Sequence, residues 1–310
     1  MAKVIVIGAG PAGIMAAIHA SKKHNVILLD GNDRIGKKLF ITGKGRCNVT
    51  NAKDISEFFD YIPGNPHFLY SALYSYTNED TINFFENAGI KLKTERGGRI
   101  FPMSDKSSDI IKGLSIGLKE ANVQVKLNSK VTNIIYNNDK ITGVEINNTT
   151  KLNGDHFILA TGGASYPLTG SRGEGQKFAK SLGHTIIDLK PSLVPIELNE
   201  PWLKELMGLS LKNISLSILK NNKTLYKEQG EMLFTSYGMS GPLVLKGSRF
   251  VKNDSKYVAL LDLKPALETH ELDKRIQKDF LKYQNKEFKN SLDDLLPQKM
   301  IPLIIKLSNI

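Results

Sequence analysis

Gly8, Gly10 and Gly13, within "GAGPAG", have the G-x-G-x-x-G spacing, and an acid, Asp30, follows about 20 residues later. The chemistry this set supports is dinucleotide binding. Gly8 permits a tight turn, Gly10 lets the backbone approach a pyrophosphate, and Gly13 lets a helix pack closely on its strand. Pro11 and Ala12 lie between them, where a helix begins and its free N–H groups face the phosphates. Asp30 accepts hydrogen bonds from an adenosine ribose and disfavours a 2′-phosphate there. These residues alone do not separate NAD from FAD.

A second chemistry-bearing stretch follows Asp30, "GNDRIGKKLFITGKGRCNVTN". It is polar and lacks clear periodicity, which predicts a ligand-wrapping loop. Gly36, Gly43 and Gly45 allow close backbone approach, and Lys37, Lys38, Lys44 and Arg46 are placed to offset phosphate charge. The chain's only cysteine, Cys47, sits here between Arg46 and Asn48. Three roles suit it: a small side chain positioning a cofactor, a thiolate favoured by neighbouring cations, or a buried structural residue. No histidine is near in sequence to act as its base.

These residues need a frame. The apolar run 4–7 (VIVI) predicts a strand covered on both faces, and Ile14, Ala17, Ile18 and Ser21 recur with helical period. A second apolar run, 26–29, ends at Asp30. "VQVKL", "VTNIIY" and "ITGVEI", separated by "NS" and "NNDK", predict an antiparallel meander. Residues 156–160 predict another buried strand, ending at Ala160, with a turn at Thr161, Gly162 and Gly163. Ligands in open α/β sheets bind at that end of the strands. The fold class is α/β, a Rossmann-like domain carrying a meander.

Read with "RIFP" (99–102), "ATGGASYPLTGSRGEGQKFAKSLGHTI" (160–186) and "GEMLFTSYGMSGPLVLKGS" (230–248), the motif "GKGRCNVTN" resembles one flavoprotein family. This is the BaiN and aminoacetone oxidase-like group of NAD(P)/FAD-dependent oxidoreductases. The resemblance, not the composition, makes FAD the expected cofactor, with NADH or NADPH bound only transiently at the flavin face. It implies a two-dinucleotide-binding-domain flavoprotein with an FAD domain over 1–190, a β-barrel-like insert over 191–265 and a helical unit over 266–310. Alternating β runs between about residues 192 and 263, and helically spaced leucines and isoleucines beyond 267, agree with this order. The resemblance places Gly45, Arg46, Cys47 and Asn48 on a loop passing the flavin, and Ala160, Thr161 and Gly162 at the cofactor. It also implies a further glycine-rich flavin-contacting segment that is not found before Ile310, so the expectation is a chain matching about three quarters of a family member.

The loop "TGSRGEGQKFAKSLGH" reads as a flavin-side turn capping a helix, since Pro167 separates its glycines from the preceding strand. His184 suits a helix C-terminus better than catalysis. Tyr166, Ser236 and Tyr237 are the polar candidates for substrate contact, and no spacing marks a general acid. Metal and hydrolase motifs are absent.

Lys+Arg number 42 against 31 Asp+Glu, a net charge of +11 without any long like-charged run. One cysteine excludes an internal disulfide or a Cys-x-x-Cys centre. The first apolar run is too short for a membrane span, which predicts a cytoplasmic protein without a membrane partner. The expected activity is hydride transfer between NAD(P)H or oxygen and a small organic substrate. A non-catalytic nucleotide-binding remnant and an RNA-associated flavoprotein are the competing readings, with nucleic acid the less favoured partner.

Overall fold

The computed structural model describes residues 1–138, 140–252 and 254–309. The chain forms two compact units, Met1–Asp188 and Leu189–Ile310.

The first unit is built on a parallel sheet. Strand β1 (Lys3–Ile7) leads into helix α1 (Pro11–Ser21), strand β2 (Asn25–Leu29) and a short helix α2 (Lys37–Ile41). There follow β3 (Thr50–Asn51), α3 (Tyr70–Ser75), α4 (Asn78–Asn87), β4 (Leu92–Glu95), β5 (Arg99–Pro102) and α5 (Ser107–Glu120). Strands β6 (Gln124–Lys126), β7 (Val131–Asn137), β8 (Lys140–Ile146), β9 (Thr150–Asn153) and β10 (His156–Leu159), then helix α6 (Glu174–Ser181), complete the unit. The parallel sheet has the order β10-β1-β2-β6. Antiparallel strands β3-β5-β4 form a small sheet, and β7-β8-β9 form a meander.

Side-chain alternation explains how this sheet is covered. Val4, Val6, Val26 and Leu28 share one core with Ile14 and Ala17 of α1 and Ile110, Leu114 and Leu118 of α5. Their neighbours Ile5, Ile7, Ile27 and Leu29 point the other way, onto Val131, Ile134, Val144 and Ile146 of the meander. Both faces are dry, as an apolar run without alternation requires. Helix α5 lies close to α4 because Gly113 and Gly117 have no side chain. A Cβ would stand 2.9 Å from Phe85 at Gly113 and 2.7 Å from Phe84 at Gly117.

Two local expectations change. The "VQVKL" run joins the parallel sheet as β6, not the meander, because amphipathic α5 returns the chain beside β2. The third parallel strand does follow Asp30, but only after the whole excursion from α2 to α5. Within the segment expected to be a loop, "KKLFI" forms α2, with Gly36 at its start in the left-handed conformation (φ +63°). The expected "NNDK" turn includes Asp139, which lies outside the described residues.

The second unit holds β11 (Ile196–Glu197), α7 (Leu203–Leu206), β12 (Ser210–Lys220), β13 (Lys223–Phe234), β14 (Gly238–Ser240), α8 (Pro242–Gly247) and β15 (Val258–Asp262). Helices α9 (Thr269–Lys282), α10 (Phe288–Ser291) and α11 (Ile301–Ser308) follow. Its antiparallel sheet runs β11-β14-β13-β12-β15, with register shifts in the long β12–β13 pair that add curl. Met300 and Leu303 pack into the same core as Leu206, Leu216 and Phe234. No helix among the described residues is long and apolar enough to cross a membrane.

Candidate functional site

At the carboxyl end of β1, each of the three glycines has its own geometry. Gly8 has φ +107°, and a Cβ there would lie 2.5 Å from the Ala160 carbonyl oxygen at the end of β10. A Cβ on Gly13 would lie 1.8 Å from the Gly8 carbonyl oxygen. Gly10 differs: its backbone is ordinary (φ −79°, ψ 176°) and a Cβ would meet nothing within 4 Å. Gly8 and Gly13 are therefore glycine for reasons inside the protein. Gly10 has no such reason, and the space beside it is the cleft.

That cleft has a volume of about 400 Å³. Gly8, Gly10, Pro11, Ala12, Asp30, Lys37, Ala160, Thr161 and Gly162 line it, so most of the residues expected from sequence come together here. Helix α1 starts at the cleft with no side-chain cap and no acid in its first turn, leaving its N–H groups and dipole to an anion. Asp30 ends β2 and ties the turn together. Its carboxylate accepts from Ala9 N–H at 2.7 Å and from both the backbone and the amide of Asn32 at 2.8 Å. A carboxylate has about four acceptor positions, so Asp30 retains capacity toward a ribose.

Other lining residues come from distant segments. Lys130, Thr169, Ser171, Arg172 and Glu174 join the wall, and none of these was singled out from sequence as a site residue. The available signal was the "TGSRGEG" glycine cluster. Gly170 packs against Asn32, whose amide also donates to the Thr169 carbonyl at 3.2 Å. Lys37, Lys38, Lys130 and Arg172 give the cleft its positive charge, with Lys38 donating to Ser165 Oγ at 3.2 Å.

Pro11 and Lys38 also line a second, apolar pocket of about 340 Å³. Its walls include Met15, Leu39, Phe84, Phe85, Ile110 and Leu114, with Cys47 and Asn48 at one side. The loop that brings Cys47 here is unusual: Gly43, Lys44, Gly45 and Cys47 all have φ between +56° and +85°. For Lys44 and Cys47 that conformation costs about 1–2 kcal/mol each. Cys47 is 4% exposed, and burial raises its thiol pKa, offset in part by a hydrogen bond with Thr42. The pocket therefore favours the neutral thiol over the nucleophilic thiolate.

Gly36, Gly45 and Arg46 line neither cavity. Gly36 N–H donates to the Ala9 carbonyl at 2.8 Å and so supports the turn from behind. The Arg46 guanidinium pairs with Glu95 and Asp105 and lies 4.2 Å over the Phe101 ring. Tyr166 is exposed with φ +53°, beside the cleft-lining segment, whereas Ser236 and Tyr237 lie in the second unit between β13 and β14. His184 follows α6, its backbone N–H donating to the Ala179 carbonyl at 3.0 Å. Among the described residues no cluster of potential metal ligands occurs.

Comparison with known proteins gives two domain matches: the HI0933-like protein Rossmann domain over residues 2–241, and the HI0933-like protein barrel and H2TH domain over residues 190–310. A 3-dehydro-bile acid delta(4,6)-reductase of Clostridium scindens is 30% identical over 100% of this chain and 76% of its own length. A ribosomal RNA dihydrouridine synthase of Escherichia coli is 30% identical over 99% of this chain and 74% of its own. Among solved structures, the open conformation of a flavocytochrome c3 fumarate reductase aligns with TM-score 0.46 at 22% identity, over 68% of this chain and 47% of that one.

Proposed function

The chain belongs to the HI0933-like family, which joins an FAD-binding Rossmann domain to a barrel and H2TH domain, and from that premise we propose that it is an FAD-dependent oxidoreductase reducing a carbon–carbon double bond at the expense of NADH or NADPH. The observation that carries cofactor binding is Gly10. It is the one glycine of the turn whose missing Cβ leaves open space, and that space adjoins the N-terminus of α1. The pyrophosphate of FAD fits there, opposite Lys37, Lys38, Lys130 and Arg172, and Asp30 is placed to accept from the adenosine ribose.

Bound FAD supplies the hydride chemistry, and the protein supplies orientation and electrostatics. Pro11 and Lys38, shared by the cleft and the apolar pocket, form the boundary the cofactor would cross. Beyond it, Met15, Leu39, Phe84 and Phe85 would exclude water from a flat ring, and Lys38 brings an ammonium to the boundary between the two cavities. Cys47, kept neutral by burial, serves there as a small packing residue.

Double-bond reduction is supported by the names of the two relatives, since a delta(4,6)-reductase and a dihydrouridine synthase both saturate a carbon–carbon double bond. The second name and the net charge of +11 also support a reading in which the reduced base lies in RNA. Purified protein incubated with FAD and passed through gel filtration is expected to keep a two-band flavin spectrum that NADH or NADPH bleaches anaerobically. A colourless protein after this treatment refutes the flavoenzyme reading. RNA binding that weakens steeply with salt selects the RNA substrate, and its absence at low salt selects a small molecule.

A further inference from the structure

We propose that Arg46 is a positioning residue: held between Glu95 and Asp105, it clamps the left-handed loop 43–47 so that Cys47 and Asn48 form a fixed wall of the apolar pocket. The effect on a bound flavin rests on the function proposed above, whereas the clamp itself is a property of the protein without cofactor.

Sequence reading assigns Arg46 to phosphate charge, but Nε and one terminal nitrogen are already paired with carboxylates of the protein. Nε donates to Asp105 Oδ1 at 2.8 Å, and a terminal nitrogen reaches both Asp105 and Glu95. Lys93 completes the network, its ammonium 2.6 Å from Asp105 Oδ2 and 3.8 Å from Glu95. The flat face of the guanidinium rests on Phe101 of β5. Glu95 ends β4, and Asp105 follows β5, so one side chain joins the loop to both strands of the hairpin.

The loop needs such a tie. Its own backbone bonds are local: Arg46 N–H to the Gly43 carbonyl at 3.3 Å and Cys47 N–H to the Thr42 carbonyl at 3.1 Å. Neither links it to the neighbouring sheet. Immediately after it, the Asn48 amide nitrogen, oriented to satisfy both its ends, donates to the carbonyls of Ile100 and Thr50, and Val49 N–H donates to Ile100. Arg46 thus extends the attachment backward into the part of the loop with positive φ. An isolated exposed ion pair contributes little, but a forked guanidinium shared by two carboxylates within a network is the geometry that does. Lysine reproduces the charge and not the fork.

The test uses Cys47 as the reporter, because it is the chain's only cysteine. Its labelling by a small maleimide is followed in the full-length protein, together with binding of ADP, which needs only the glycine cleft. We expect slow labelling in the wild type, about tenfold faster labelling in Arg46→Gln, and an intermediate rate in Arg46→Lys, with ADP affinity unchanged. Raising salt is expected to accelerate labelling of the wild type and to leave Arg46→Gln unaffected, because screening acts on the pairs the variant lacks. With FAD bound, the visible bands of Arg46→Gln are expected to move toward those of free FAD. Equal labelling of wild type and Arg46→Gln, or the same salt response in both, overturns the clamp. Should Arg46→Gln unfold, the salt response of the wild type decides alone: no acceleration overturns the proposal. A wild type that binds neither ADP nor FAD refutes the proposed function and leaves the labelling comparison intact.

Discussion

Replacing Gly10 by alanine is expected to separate ligand binding from folding. The backbone there suits any residue, and the added methyl has no atom within 4 Å to collide with. A Gly→Ala change at a compatible position stabilises by about 0.4–1 kcal/mol, through the unfolded chain. For a domain of this size that raises Tm by about 1–4 °C. Yet the methyl occupies the space where a phosphate approaches the turn. Loss of one hydrogen bond to a charged group costs about 1.5–3 kcal/mol, which weakens the Kd for ADP or FAD by about 10–150-fold. Calorimetric titration with ADP and thermal melts with and without ligand read both quantities. At ligand concentrations that stabilise the wild type strongly, Gly10→Ala should melt slightly higher without ligand and gain little from it. Wild-type affinity in Gly10→Ala refutes the assignment of this space to a phosphate. A large loss of intrinsic stability refutes the geometric reasoning instead.

The companion glycines predict the opposite pattern. Gly13→Ala places a methyl 1.8 Å from the Gly8 carbonyl, and Gly8→Ala adds strain at φ +107° to a contact 2.5 Å from the Ala160 carbonyl. Each should lose about 3 kcal/mol or more in urea unfolding. Asp30→Asn removes the charge that accepts from the Ala9 N–H, and ADP affinity should fall by about tenfold in titration. Burial raises the Cys47 pKa, so the folded protein holds that proton to higher pH than the unfolded chain does. Its contribution to stability is therefore complete below the ordinary thiol range and declines as pH rises through the folded value. Cys47→Ser should flatten that alkaline decline in urea midpoints measured across pH, and an unchanged profile counts against a buried thiol.

What the sequence made legible depended on punctuation. β1, α1 and β2 stand out because an unbroken apolar run, three spaced glycines and a terminal acid follow one another within thirty residues. β12, the last residues of β13, and α9 were readable from period alone. The assignment of "VQVKL" failed because a three-residue strand carries no period, and its partner β2 lies far back in the chain. Helix α2 was hidden by its length of five residues. At the site, the turn was readable and the loop from Thr169 was read as lying on the flavin side, but Lys130 and the individual wall residues Thr169, Ser171, Arg172 and Glu174 were not. Spacing records which residues are neighbours along the chain and is silent on which loop folds back over a turn. Arg46 shows the same limit: its type suggested an anion, and only the fold reveals that Glu95 and Asp105 are the anions it meets.

The pairing of β1 with β10 has a consequence for how the protein is made. Val4 lies opposite His156 and Ile7 opposite Leu159, so the strand that opens the cleft waits for one about 150 residues later. At about 5–20 residues per second, a ribosome needs on the order of 10–30 s to add that stretch. Until β10 and the following turn have emerged, Gly8 has no Ala160 to pack against, and the cleft lacks the wall that Ala160, Thr161, Gly162 and residues 169–172 supply. Completion of the cleft is thus a late event in biogenesis. During that interval the nascent glycine turn and its apolar strand are exposed, which makes early docking of β2 and α1 onto β1 the step that protects them.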